Sequence, residues 1–146
     1  MGQKRKARVY ALQALYMYET TGCPIEDILS FNWIDREVPE EVRCFASSLI
    51  EGSIGNMEYI DNLIRSYSKN WRFERLGVVD KSILRISIYA LIFLQDIPFS
   101  VTINEGIELG KTFGGEGSRQ YINGILDAIL KGEIKGKNNT IEDQKK

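Results

Sequence analysis

Pro24, Pro39 and Pro98 are the only three prolines in this chain, and each stands where a run of apolar residues at helical spacing begins. Proline fixes φ at about −65° and has no backbone N–H, so it suits the start of a helix and disrupts an interior. The stretches between the prolines carry their apolar residues at helical spacing, and the β-branched runs and strict alternation of half-buried strands are missing. These patterns predict an all-α chain.

The spacing places a first helix over about Lys4–Thr20, where Val9, Leu12, Leu15, Tyr16 and Tyr18 leave little polar surface after the opening turn. Such a helix is expected to be central and mostly buried. Gln13 interrupts it and aligns, at seven-residue spacing, with Lys6 and Thr20 in a narrow stripe facing solvent or a ligand. A second helix is expected from Pro24 to about Asp35, with Ile25, Ile28, Leu29 and Trp33 on one side. The next begins near Pro39, loosens around Gly52 to Gly55 and resumes through Met57, Ile60, Leu63 and Ile64, as one kinked helix or two. Trp71 and Phe73 then lie among Lys69, Arg72 and Arg75, before the most apolar helix at Val78 to Gln95. Pro98 opens a helix to about Thr112, and Gly114, Gly115 and Gly117 form a turn. Ser118 is suited to cap a last helix ending near Lys131. After Gly132 the composition has almost nothing to bury, which predicts a disordered tail over 133–146.

A length of 146 residues, 43% of them apolar and 27% charged, suits one soluble domain with a real core. Cys23 and Cys44 have 20 residues between them and there is no histidine in the chain, so neither a zinc site nor a Cys-x-x-Cys motif is available. No metal and no cofactor is expected. The longest apolar run, Ile88 to Leu94, is seven residues against the roughly 20 a spanning helix needs, and no signal peptide opens the chain. The expected location is the cytoplasm.

The net charge of −1 hides an asymmetry. Residues 1–18 carry four cations, Lys4, Arg5, Lys6 and Arg8, and no acid, whereas ten acids oppose Arg36 and Arg43 between Glu19 and Asp61. A local cationic patch attracts phosphates even on an acidic body, although a solvated helix start would look the same. Gly110-Lys111-Thr112 lacks the glycine and preceding strand of a phosphate loop, since Glu105 stands where that glycine belongs. The Gly114–Gly117 turn could present N–H groups to an anion or simply join two helices. Without histidine the commonest acid–base group is absent, and Glu105 with Glu108 reads as a solvated face, so no catalytic residue is assigned. Arg85 interrupts an apolar helix and must reach solvent, a carboxylate or a partner. Asp80 and Ser87 form a second polar line on that helix. Tyr16, Phe113 and Tyr121 lie near polar or basic positions, where an aromatic ring either joins the core or stacks on a base.

The order of these elements resembles a known family. It runs Arg8-x-x-Ala11-x-Gln13-Ala14-Leu15-Tyr16, then Val79-Asp80-Lys81-x-Ile83-Leu84-Arg85-Ile86, then Val101-x-Ile103-Asn104-Glu105-x-Ile107-Glu108-Leu109. Lys111-x-Phe113-Gly114 and Tyr121-Ile122-Asn123-Gly124-Ile125-Leu126-Asp127 close the series. From about Arg5 to Leu130 the chain is similar to the NusB family of bacterial transcription antitermination factors. The resemblance implies about seven helices in two small bundles, a lobe over about 1–70 and another over 71–132, and no enzymatic activity. It implies binding of single-stranded boxA RNA in nascent ribosomal transcripts, together with the ribosomal protein NusE, within the RNA polymerase antitermination complex. Carried over by position, the RNA surface would use Lys4, Arg5, Lys6, Arg8, Gln13, Tyr16 and Arg85 with Phe113, Ser118, Arg119, Gln120 and Tyr121. The NusE contact would fall on the Val79–Leu94 helix and the neighbouring C-terminal surface, with Asp80 and Tyr89 as candidates.

One departure stands out: the family commonly has an acid where this chain has Gly117, which removes a local negative charge from the turn. Two other readings remain. One is a protein-only helical scaffold, and the other is the related RNA-binding module of ribosomal RNA cytosine methyltransferases, for whose catalytic domain the 16 residues after Leu130 leave no room. A homodimer that hides the basic helix is a further expected form.

Overall fold

The structure is a computed structural model and describes residues 2–68 and 73–136. Among them are seven α-helices and no strand: α1 Gln3–Thr21, α2 Ile25–Leu29, α3 Glu40–Gly55, α4 Met57–Tyr67, α5 Val78–Phe93, α6 Phe99–Phe113 and α7 Ser118–Ile129. Each proline is the residue immediately before a helix, at the starts of α2, α3 and α6. Their φ values of −60°, −56° and −54° are those the ring enforces.

The stretch from Pro39 to Ile64 resolves into two helices, because the chain breaks at Asn56, whose side chain caps back onto the Gly52 carbonyl at 2.8 Å. The helix expected to reach Asp35 ends at Leu29 instead. Phe31 there adopts φ 57°, a left-handed conformation that L residues avoid, and it is held by burial to 3% exposure. That turn sends residues 30–39 back along α1, where Trp33 meets Tyr10 edge-on at 6.3 Å. Apolar spacing alone does not separate this packed return from another helical turn.

The central helix is α5, which touches α1, α3, α4, α6 and α7 and buries nine of its 16 residues. Against expectation, α1 is the less enclosed of the two, with seven of 19 residues buried. Fully buried Leu15, Leu49, Ile50, Ile64, Leu84, Leu91 and Leu126 belong to one continuous core. Each such side chain stabilises the fold by about 1.5–3 kcal/mol. Glu19 meets Lys81 and Arg85, while Lys4 borders the same cleft as Leu94 and Asp96, so α1 and α5 run antiparallel. Ser87 faces Gly106 and Asp80 faces Ser118, so α6 returns along α5 in the direction of α1. Gly106 and Gly110 permit that close packing, since a Cβ at either would come within 2.8 Å of Ser87 Oγ or Ile122 Cδ1.

The ordered body passes the expected boundary at Gly132. A widened helical segment, Leu130–Lys135, continues α7, burying Ile134 to 5% exposure, while Tyr67 donates a 2.8 Å hydrogen bond to Glu133. The first residues assigned to the tail are therefore packed, and 137–146 lie outside the described residues, as do Lys69, Trp71 and Arg72. No described helix is long and apolar enough to cross a membrane.

Candidate nucleic-acid interface

The first turn of α1 holds Lys4, Arg5 and Lys6 and no acid. The partial positive charge at a helix N-terminus disfavours each nearby cation by about 0.3–1 kcal/mol, so helix stability does not explain their presence. Lys4 and Arg5 are exposed and Lys6 is half-buried. Arg8 differs. It is 6% exposed, stacks over the Phe45 ring at 5.2 Å, and burial pushes its pKa down. Its packing onto α3 removes it from the expected phosphate contacts.

Arg5 is exposed but engaged. Its Nε and Nη2 donate to Glu105 Oε2 and Oε1 at 3.1 and 3.0 Å, a two-point bond that ties α1 to α6. This bond, with the Arg5 charge, holds the Glu105 carboxyl below the usual carboxylate range. Farther along α1, Gln13, Tyr16 and Thr20 are exposed, Tyr16 to 47%, and with Lys6 they line one side of a groove of about 710 Å³. Trp33, Ile34, Asp35 and Arg36 of the returning segment line the other side. The stripe inferred from spacing is thus real, though it is one wall of a cleft and not a free ridge. Trp33 and Arg36 are not among the residues expected from the sequence, since only the turn at Phe31 brings them beside α1.

Arg85 is not at the surface. It is 3% exposed and donates from Nε and Nη2 to Asp61 at 2.9 Å each, and from Nη1 to Glu19 at 2.8 Å. Burial alone would lower its pKa, but the hydrogen bonds and charges of Asp61 and Glu19 raise it. Of the sequence alternatives, the carboxylate inside the fold is the one realised, so Arg85 is corrected from RNA contact to internal ion pair. Phe73 lies under Arg65 and Lys81, at 4.4 and 4.7 Å, beside that cluster.

At the glycine-rich turn the structure divides the expected residues. Phe113 is 41% exposed, and Arg119 and Gln120 are exposed on the first turn of α7. Tyr121 is half-buried with its hydroxyl 3.0 Å from Ser68 Oγ, leaving only part of its ring for a ligand. Ser118 is 4% exposed and makes no capping bond; its hydroxyl donates instead to Asp80 Oδ2 at 3.1 Å. The residue before it is Gly117 at φ 85°, a conformation glycine reaches without strain. Ser118 is therefore a buried link between α5 and α7, and Asp80, half-buried, is the acceptor of that link. Glu116 is exposed in the turn, so the carboxylate charge expected to be missing there is supplied one position earlier. Tyr89 is half-buried against Gly52 and stacks on the exposed Phe93 at 5.3 Å.

The described residues thus present an open, cation-rich start to α1, a groove with aromatic walls, and a second polar site at the α6–α7 turn. The model of the NusB family matches residues 5–131. The chain belongs to the NusB family. The transcription antitermination protein NusB of Syntrophus aciditrophicus (strain SB) is 46% identical over 129 residues, covering 88% of this chain and 80% of that protein. Its counterpart in Thermodesulfovibrio yellowstonii is 40% identical over 146 aligned positions, covering 90% and 94%. Among solved structures, T. maritima NusB superposes with a TM-score of 0.80 at 38% identity, covering 88% of this chain and 90% of that one. A complex of antitermination factors NusB and NusE with dsRNA contains a chain of the same fold, with a TM-score of 0.75 at 24% identity, covering 90% and 98%. The NusB family is one of transcription antitermination factors, not of enzymes.

Proposed function

We propose that this antitermination factor binds the single-stranded boxA segment of nascent ribosomal RNA through the exposed side of α1 and the α6–α7 turn, together with NusE and as part of the RNA polymerase antitermination complex. The observation that carries the reading is the position of Lys4, Arg5 and Lys6, exposed or half-exposed at a helix N-terminus that disfavours them. They supply attraction for phosphates. Gln13 and Gln120 offer amide donors and acceptors, Tyr16 and Phe113 offer exposed rings for stacking, and Arg119 adds charge at the second site. Arg8 and Arg85 hold the helices that display these groups. For NusE, the aromatic surface at Tyr89 and Phe93 is the better candidate, since Asp80 is occupied by Ser118. A self-associated form that covers α1 would compete with RNA. The role places the protein in the cytoplasm.

The test is a titration of a boxA-like RNA and a scrambled one, each with and without NusE. The boxA-like RNA should bind more tightly, and the difference should widen with NusE present. With roughly four phosphates neutralised, the log–log salt slope should be roughly −3. Equal affinity for both RNAs under both conditions would remove this reading.

A further inference from the structure

The groove beside α1 has a wall that the family resemblance did not assign. On one side stand Lys6, Gln13 and Tyr16; on the other stand Trp33, Asp35 and Arg36, and the enclosed space is about 710 Å³. That volume falls within the roughly 300–1,000 Å³ of clefts that hold small ligands. Trp33 is fixed in place, because its Nε1 donates to the Ile28 carbonyl at 2.9 Å and its ring abuts Tyr10 and Phe31 at 6.3 and 6.0 Å. A ring held this way stacks without first losing rotamer freedom. Lys6 and Arg36 make no ion pair among the described residues, so both charges are available, and they outnumber the single carboxylate of Asp35.

Resting on the RNA-binding role proposed above, we infer that this groove receives one unstacked base of the bound single strand, with Trp33 and Tyr16 as its aromatic walls and Arg36 joining Lys6 on the flanking phosphates. The chemistry fits a nucleotide better than a peptide. Two aromatic rings suit a flat π-face, an amide at Gln13 suits a base edge, and paired cations suit a phosphate on either side. Asp35, exposed on the same wall as Trp33, repels phosphate there, which favours a base between the two rings and the backbone beside Lys6 and Arg36.

Two measurements on the full chain test the assignment. Incorporation of 5-fluorotryptophan gives separate ¹⁹F signals for Trp33 and Trp71, assigned with W33F, and addition of a boxA-like RNA should shift the Trp33 signal. Arg36 is exposed and makes no ion pair among the described residues, so Arg36→Ala should keep its fold by circular dichroism while losing affinity about fivefold and flattening the log–log salt slope by about 0.7. Tyr16→Ala should lose about tenfold, the scale of one stacked base. A Trp33 signal unmoved by RNA, with Arg36→Ala binding as tightly as the parent while Lys4→Glu and Lys6→Glu weaken binding, would overturn the groove and leave the RNA-binding role standing. A Trp33 signal that responds to NusE alone and not to RNA would assign the groove to a protein and likewise overturn it. Failure of the parent chain to bind any RNA would remove both.

Discussion

Replacing Arg85 by Leu would strand the Asp61 carboxylate, which is 9% exposed, and deprive Glu19 of its shortest ion pair. Breaking a buried pair from one side costs about 3–5 kcal/mol, because the remaining charge is left in a poor solvent. Urea unfolding should show that loss for Arg85→Leu, and the double change Asp61→Leu with Arg85→Leu should recover a large part of it. RNA affinity measured on the folded fraction should stay within about twofold, which separates this role from a phosphate contact. Arg8 makes the parallel case: Arg8→Met keeps a long side chain on Phe45 and should hardly change RNA binding, whereas Lys6→Glu should weaken it several-fold and flatten the salt slope. The interruption of an apolar helix by Arg85 was visible in the sequence. Its partners were not, since Asp61 and Glu19 lie 24 and 66 residues away and no local spacing connects them.

Between elements, the prolines told where α2, α3 and α6 begin, because a fixed φ acts locally and needs no tertiary context. The path after Leu29 was hidden for the opposite reason. Trp33 and Ile34 keep helical spacing while the backbone at Phe31 turns left-handed under the demands of packing. The tie of α1 to α6 was equally hidden, being a pair 100 residues apart in sequence. It has a functional consequence, because Glu105 competes with phosphate for Arg5. Glu105→Gln should raise RNA affinity about threefold at low salt by releasing that guanidinium, and an unchanged affinity would show that Arg5 stays on α6 in the complex. The same pair sets an acid limb. The folded pKa of Glu105 lies below its ordinary value, so its contribution is present above about pH 4.3 and fades as pH falls through the lower folded value. Carboxyl NMR titration should show Glu105 protonating later than an exposed glutamate, and Arg5→Gln should remove that delay.

For the whole molecule, the question is where the folded body ends. Charge and polarity placed the end at Gly132, since Lys, Asn, Glu and Gln dominate residues 133–146. One apolar residue carried the contrary signal: Ile134 continues the stripe of Ile129 and Leu130 and is buried, while Glu133 accepts from Tyr67 of α4. The segment past α7 therefore closes the side of the bundle where α4 meets α5 and α7, far from any role in displaying the α1 surface. A chain ending at Gly132 should accordingly be less stable than one ending at Gly136. Loss of a buried isoleucine costs about 2–5 kcal/mol and loss of the Tyr67 hydrogen bond about 1 kcal/mol more. Urea denaturation of the two truncated chains should separate them by about 3–6 kcal/mol, and Ile134→Ala in the full chain should account for most of the gap. Equal midpoints would return the boundary to Gly132, whereas a gap reproduced by Tyr67→Phe alone would assign the closure to the hydrogen bond and not to the apolar contact.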